Sequence, residues 1–124
     1  MAPTILVCDN EAPLRALVRA TLDDGRYEIV EARDGDAALE LTRRLRPSLI
    51  LLDMMMPGRS GLEVLTELRE DPGLAATPVI MLTARAQAAD REAVADAGAD
   101  RFLAKPFSPL ELISVVEDLL GTRT

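Results

Sequence analysis

The chain carries a single lysine, Lys105, which closes a short apolar run, Phe102-Leu103-Ala104. Three other apolar runs also end on a polar residue: Ile5-Leu6-Val7-Cys8 on Asp9, Leu49-Ile50-Leu51-Leu52 on Asp53, and Val79-Ile80-Met81-Leu82 on Thr83. An aspartate carboxylate can attack phosphorus and form an acyl phosphate. That transfer asks the protein mainly for positioning and charge neutralisation. A hard divalent cation held by carboxylates, carbonyls and water supplies part of the neutralisation. Asp9 and Asp53 offer the carboxylates, Met55 a backbone carbonyl, Lys105 a compact ammonium and Thr83 a hydroxyl donor.

These side chains act together only if their runs are neighbouring parallel strands whose carboxyl ends share one rim. The rest of the chain is patterned for that. Apolar runs alternate with amphipathic stretches, as in βαβ units with helices on both faces of a sheet. Leu14, Leu17, Val18 and Leu22 follow helical spacing, and Tyr27 to Val30 reads as a second strand. Ala38, Leu39, Leu41 and Leu45 mark the second helix, which Pro47 stops; Leu62, Leu65 and Leu68 mark the third. Ser108 is placed to cap the last helix, with Pro109 at its first position and Gly121 at its end. The class is α/β: a doubly wound parallel sheet of five strands, order 2-1-3-4-5, with five helices. Its switch point lies between strands one and three, which end on Asp9 and Asp53.

The helix from about Gln87 to Ala97 is rich in alanine, and Val94 is its one large aliphatic residue. So little apolar area to bury predicts weak anchoring and motion; the alternative is that neighbouring side chains fill in around the alanines.

Composition narrows the function classes. At 124 residues the chain is long enough for one domain, expected to be 1–124 with its core at about 4–120. Net charge is −7 and the arginines are dispersed, so the basic patch of a nucleic-acid-binding surface is missing. No apolar stretch suits a membrane span and the N-terminus lacks a secretory pattern, so a cytoplasmic location is expected. The lone Cys8 sits inside a strand run and reads as an inert core thiol. With no histidine, the chain cannot donate from a phosphohistidine.

The stretches Ile5 to Glu11, Leu51-Leu52-Asp53 to Pro57-Gly58 and Gly61, Thr83-Ala84, and Phe102 to Pro106 occur in this order and spacing. In them the chain resembles the receiver domain of two-component response regulators, whose fold is flavodoxin-like, over about residues 4–120. The resemblance implies that Asp53 accepts a phosphoryl group from a histidine kinase, a phosphotransfer protein or a small phosphodonor. Thr83 and Lys105 would contact the phosphoryl oxygens. Asp9, position 10, Asp53 and the Met55 carbonyl would hold Mg²⁺ or Mn²⁺, and Lys105-Pro106 would be cis.

Phe102, by spacing alone a core residue, would occupy an aromatic switch position. Phosphorylation would then shift the face made by the fourth helix, fifth strand and last helix. A downstream output domain or protein, or a phosphorylation-dependent dimer, would read that face. Such a chain is a switch that slowly loses its own phosphoryl group, not a turnover enzyme. Met55 and Arg85 stand where the family tunes water access. Methionine cannot orient an attacking water, so slow loss is expected, although the Met54-Met55-Met56 run also suits loop packing.

One position departs from the family pattern. The second of its two adjacent acids is Asn10 here, which offers a carbonyl oxygen without a charge. Weaker metal binding follows, with Glu11 either compensating or capping the first helix. A degenerate receiver that signals or dimerises without phosphate is the alternative this raises. A dehalogenase-type phosphatase would want an acid where Met55 stands, and a nucleotide-binding module lacks its glycine-rich loop.

Overall fold

The computed structural model describes residues 2–84 and 88–121. Arg85 and Gln87 lie outside them. The elements are β1 (Thr4–Cys8), α1 (Ala12–Leu22), β2 (Glu28–Ala32), α2 (Gly35–Leu45), β3 (Leu49–Asp53), α3 (Gly61–Glu70), β4 (Val79–Thr83), α4 (Ala88–Asp96), β5 (Arg101–Ala104) and α5 (Pro109–Leu120). The strands form one parallel sheet in the order β2-β1-β3-β4-β5, as the sequence predicts.

Unbroken apolar runs make the central strands because both faces of the sheet are covered. Every residue of β3 and β4 is buried. Strand alternation sends successive side chains to opposite faces, and two cores result. Leu6, Ile50, Leu52 and Met81 pack with Leu39 of α2, Leu65 of α3 and Val94 of α4. Val7, Leu49, Leu51, Leu82 and Leu103 pack with Val18 of α1 and Leu112 of α5.

Helix ends are fixed by their caps. Asp34 accepts from the Ala37 amide at α2. Ser60 with Glu63, and Ser108 with Glu111, form capping boxes at α3 and α5. Each such cap contributes about 1 kcal/mol. Gly121 ends α5 in the left-handed region, at φ 65°. Two residues of the expected apolar stripes are not inside: Leu17 is 40% and Leu45 41% exposed. On α1 the sheet receives Val18 and Leu22, leaving Leu17 at the margin of the stripe.

On α4, Val94 alone among the described side chains is buried. The loop that follows is held from outside the helix. Arg69 donates to the carbonyls of Gly98 (2.9 Å) and Thr77 (2.8 Å) and pairs with Asp100 at 3.1 Å. Among its described side chains the fourth helix thus buries a single aliphatic one, and the loop after it is tied to a neighbour's guanidinium. Its amides should exchange faster than those of α1 and α5; hydrogen-exchange mass spectrometry showing equal protection would contradict this.

Candidate functional site

Strand order and register bring three of the sequence-selected side chains together. The Asp9 amide donates to the Ala32 carbonyl, continuing the β1–β2 ladder past the end of β1. Asp53 is the last residue of β3 and pairs across the sheet with Leu82. The Lys105 amide donates to the Thr83 carbonyl at 2.7 Å, setting the lysine just beyond β5, and its bond to Pro106 is cis. From there the ammonium reaches Asp9 Oδ2 at 2.7 Å and Asp53 Oδ1 at 3.2 Å.

The carboxylates are buried and already engaged. Asp9 is fully buried, and its Oδ1 accepts the Glu11 amide at 2.8 Å. Asp53 is 3% exposed, and its Oδ1 also accepts the Met55 amide at 3.3 Å. Burial pushes the Asp53 carboxyl above the usual range, and the Asp9 charge adds to this against the opposing pull of Lys105. For Lys105 burial works downward, but the bond to Asp9 and the charges of both carboxylates outweigh it and hold the ammonium above its ordinary value. One cation is shared between two anions that repel each other.

The loop after Asp53 is positioned by Gly61. Its amide donates to the Met54 carbonyl at 3.0 Å, and a methyl group there would overlap the Asp53 carbonyl. No side chain fits between the start of α3 and the end of β3. Gly61→Ala should therefore cost about 3 kcal/mol through overpacking and misplace Asp53. A denaturation curve matching the parent protein would count against this.

Thr83 lies at the same edge but in a different phase. Asp53 stands opposite Leu82, and Thr83 opposite Ala104. Alternation gives Thr83 the side of Met81 and Phe102, facing α2, α3 and α4. Asp9, Asp53 and Lys105 continue the series Ile5-Val7, Leu49-Leu51 and Leu103, which faces α1 and α5. The four polar ends share one edge, but only the three charged ones share a side.

Phe102 is half-buried and packs against the α2–α3–α4 core. Asn10 is exposed, and Met55 is 63% exposed. Cys8 is buried, and burial with the charge of Asp9 pushes its thiol up to about 12, so it is inert as a nucleophile at neutral pH.

Two neighbours differ from the sequence reading. Glu11 occupies the cap position of α1, but its side chain makes no capping bond, being longer than the side chains that fold back onto their own turn. Its carboxylate lies 3.9 Å from the Lys105 ammonium instead. Arg15, not anticipated, donates to the Asp9 carbonyl at 2.7 Å and pairs with Glu31 at 3.1 Å. A cation in the first turn of a helix opposes the helix dipole, and that was the available signal.

The donor set suits a hard cation. Two buried carboxylates, backbone carbonyls and the Asn10 amide match Mg²⁺ retaining several waters. Among the described residues no cluster of three or more histidine, cysteine or acidic side chains is placed to ligate a metal; carboxylate, carbonyl and water oxygens suit Mg²⁺ or Mn²⁺ rather than the softer metals that take imidazole or thiolate. None of the described helices is long and apolar enough to cross a membrane.

Comparison with known proteins follows the same lines. The family described as "Response regulator receiver domain" matches residues 5–117. The transcriptional regulatory protein ResD of Bacillus subtilis is 46% identical over 116 residues, 94% of this chain and 47% of ResD. The phosphate regulon transcriptional regulatory protein PhoB of Escherichia coli is 40% identical over 120 residues, 97% of this chain and 52% of PhoB. The chain spans about half the length of these two relatives. The solved structure of the Vibrio cholerae chemotaxis protein CheY4 superposes with a TM-score of 0.91 at 29% identity, covering 96% of this chain and 99% of that one.

Proposed function

Because the chain belongs to the response regulator receiver domain family, we propose that it is one receiver domain in which Asp53 accepts a phosphoryl group from a histidine kinase or phosphotransfer partner. The observation that carries this is the Lys105 ammonium lying within 3.2 Å of both buried carboxylates. Asp53 is the nucleophile: its Oδ attacks phosphorus while the bond from phosphorus to the donor breaks. Lys105 neutralises charge on the transferred group, and Thr83 supplies its hydroxyl once it turns to that side of the sheet. Mg²⁺ or Mn²⁺, when bound, would offset phosphoryl charge, with Asp9, Asn10, Asp53 and the Met55 carbonyl as its ligands.

The added group brings roughly −1.5 to −2 charge. Drawing Thr83 toward it vacates space beside Ala104 that the Phe102 ring, its diagonal neighbour, can fill. The face of α4, β5 and α5 would then change for a downstream output domain or protein, or for a second copy in a dimer. Transcriptional control, the role in the names of ResD and PhoB, is the proposed class of output. The domain loses its phosphoryl group slowly and turns over no substrate, because the exposed Met55 side chain cannot orient an attacking water. The proposed setting is the cytoplasm.

Intact-mass spectrometry after treatment with acetyl phosphate and Mg²⁺ tests the reading. One phosphoryl group per chain, lost over many minutes, is expected. No gain in mass, or loss within seconds, would count against it. A phosphate-independent receiver is the second reading, favoured by Asn10 and by an Asp9 carboxylate already bonded to Lys105 and the Glu11 amide.

Asn10→Asp separates the two. If the pocket is a working metal site, the added charge should tighten Mg²⁺ binding on the order of tenfold, about 1.4 kcal/mol. Calorimetric titration giving equal affinities would favour the phosphate-independent reading.

A further inference from the structure

The Arg91 guanidinium of α4 lies over the Phe102 ring, 5.2 Å from its centroid. Ring and guanidinium help line a groove of about 330 Å³ with Val94, Ala95, Ala99 and Asp100. We propose that Arg91 is a positioning residue for Phe102: it holds the ring on the α4 side of β5 and so sets the resting state of the switch. The ring has a second place to go. Across the sheet Thr83 pairs with the small residue Ala104, and Phe102 stands one diagonal step from Thr83 on the same face, so a turn of Thr83 toward the carboxylates would make room for the ring. Moving there costs the ring its cation and opens the groove.

A cation over an aromatic face is a modest attraction at an exposed site. Arg91 is exposed, so losing it should change the ring's distribution by about two- to fivefold. That is enough to bias a switch without locking it. Val94 anchors α4 to the core that Phe102 packs against, and Arg91 adds a charged contact over the face of the ring. The consequence for signalling rests on the phosphoacceptor reading, whereas the ring contact does not.

The chain has two phenylalanines, Phe102 and Phe107, so fluorophenylalanine labelling gives two ¹⁹F signals. Phe107 lies in the opposite core, with α1 and α5, and serves as the internal reference. The unphosphorylated chain is compared with Arg91→Met, which keeps apolar cover without charge, and Arg91→Lys, which keeps the charge.

In Arg91→Met the Phe102 signal should move toward its position in parent protein treated with acetyl phosphate and Mg²⁺. Arg91→Lys should stay near the parent, Phe107 should not move, and phosphoryl uptake should quicken about two- to fivefold in the methionine variant. An unmoved Phe102 signal in Arg91→Met overturns the proposal. So do equal shifts in both variants, or a Phe107 signal that moves in step. If treated parent protein takes up no phosphoryl group, the phosphoacceptor reading fails, but the untreated spectra still decide the role of Arg91.

Discussion

Asp53→Asn should do two opposite things: abolish phosphoryl uptake and raise folding stability by about 1–2 kcal/mol. Uptake is lost because an amide is no nucleophile toward phosphorus. Stability rises because two carboxylates, one fully buried and one 3% exposed, share a single ammonium. Removing one charge leaves Asp9 and Lys105 as a neutral pair at 2.7 Å. The asparagine carbonyl can still accept the Met55 amide.

The pH dependence has a definite sign. A carboxyl raised above its unfolded value of 3.8 binds protons more tightly when folded. The charged form therefore weakens the parent protein most above that raised value. The gap between variant and parent should close as the pH falls through it toward 3.8. Urea denaturation curves at neutral and acidic pH read both effects. A variant no more stable than the parent at neutral pH would show that the pocket stores no such repulsion.

Lys105→Met should be strongly damaging in the absence of divalent cations, costing about 3 kcal/mol. Methionine keeps the bulk of the side chain but leaves two buried anions facing each other. The same charge balance would make the lysine a competitor of a divalent cation, since its ammonium sits on Asp9 Oδ2. Adding Mg²⁺ should restore more stability to the variant than to the parent, about 2.7 kcal/mol at a hundredfold excess over its dissociation constant. The ammonium of the parent is held above its ordinary 10.5, so its stabilisation is complete below that value and fades as the pH rises through the raised one. Thermal melts with and without Mg²⁺ decide the matter: equal rescue in both proteins would mean that lysine and metal do not compete.

The parts of the fold that were legible were those written locally. Strands covered on both faces cannot alternate, so β1, β3 and β4 appear as unbroken apolar runs, each with a candidate site residue at or just past its end. Ser108-Pro109 and Gly121 bracket α5 because capping chemistry needs particular side chains at particular positions. Strand order was legible from the alternation of elements, but exact register and side-chain reach were hidden. That Asp53 stands opposite Leu82 rather than Thr83 is a matter of register, and it moves the hydroxyl out of phase with the charges. Arg15 reaches the Asp9 carbonyl across a helix turn, and Glu11 leaves the cap unmade, through side-chain reach that spacing does not encode.

The phase difference along β4 and β5 bears on how the molecule is handled by others. The carboxylates lie on the side carrying α1 and α5, while the aromatic ring packs on the side carrying α4. On the proposed function, a donor would approach the first side, and a reader of the α4–β5–α5 face would meet it only at α5. Helix α5 and the short carboxyl-terminal ends of two strands would then serve both, while the rest of each footprint can drift in sequence without redesign of the other.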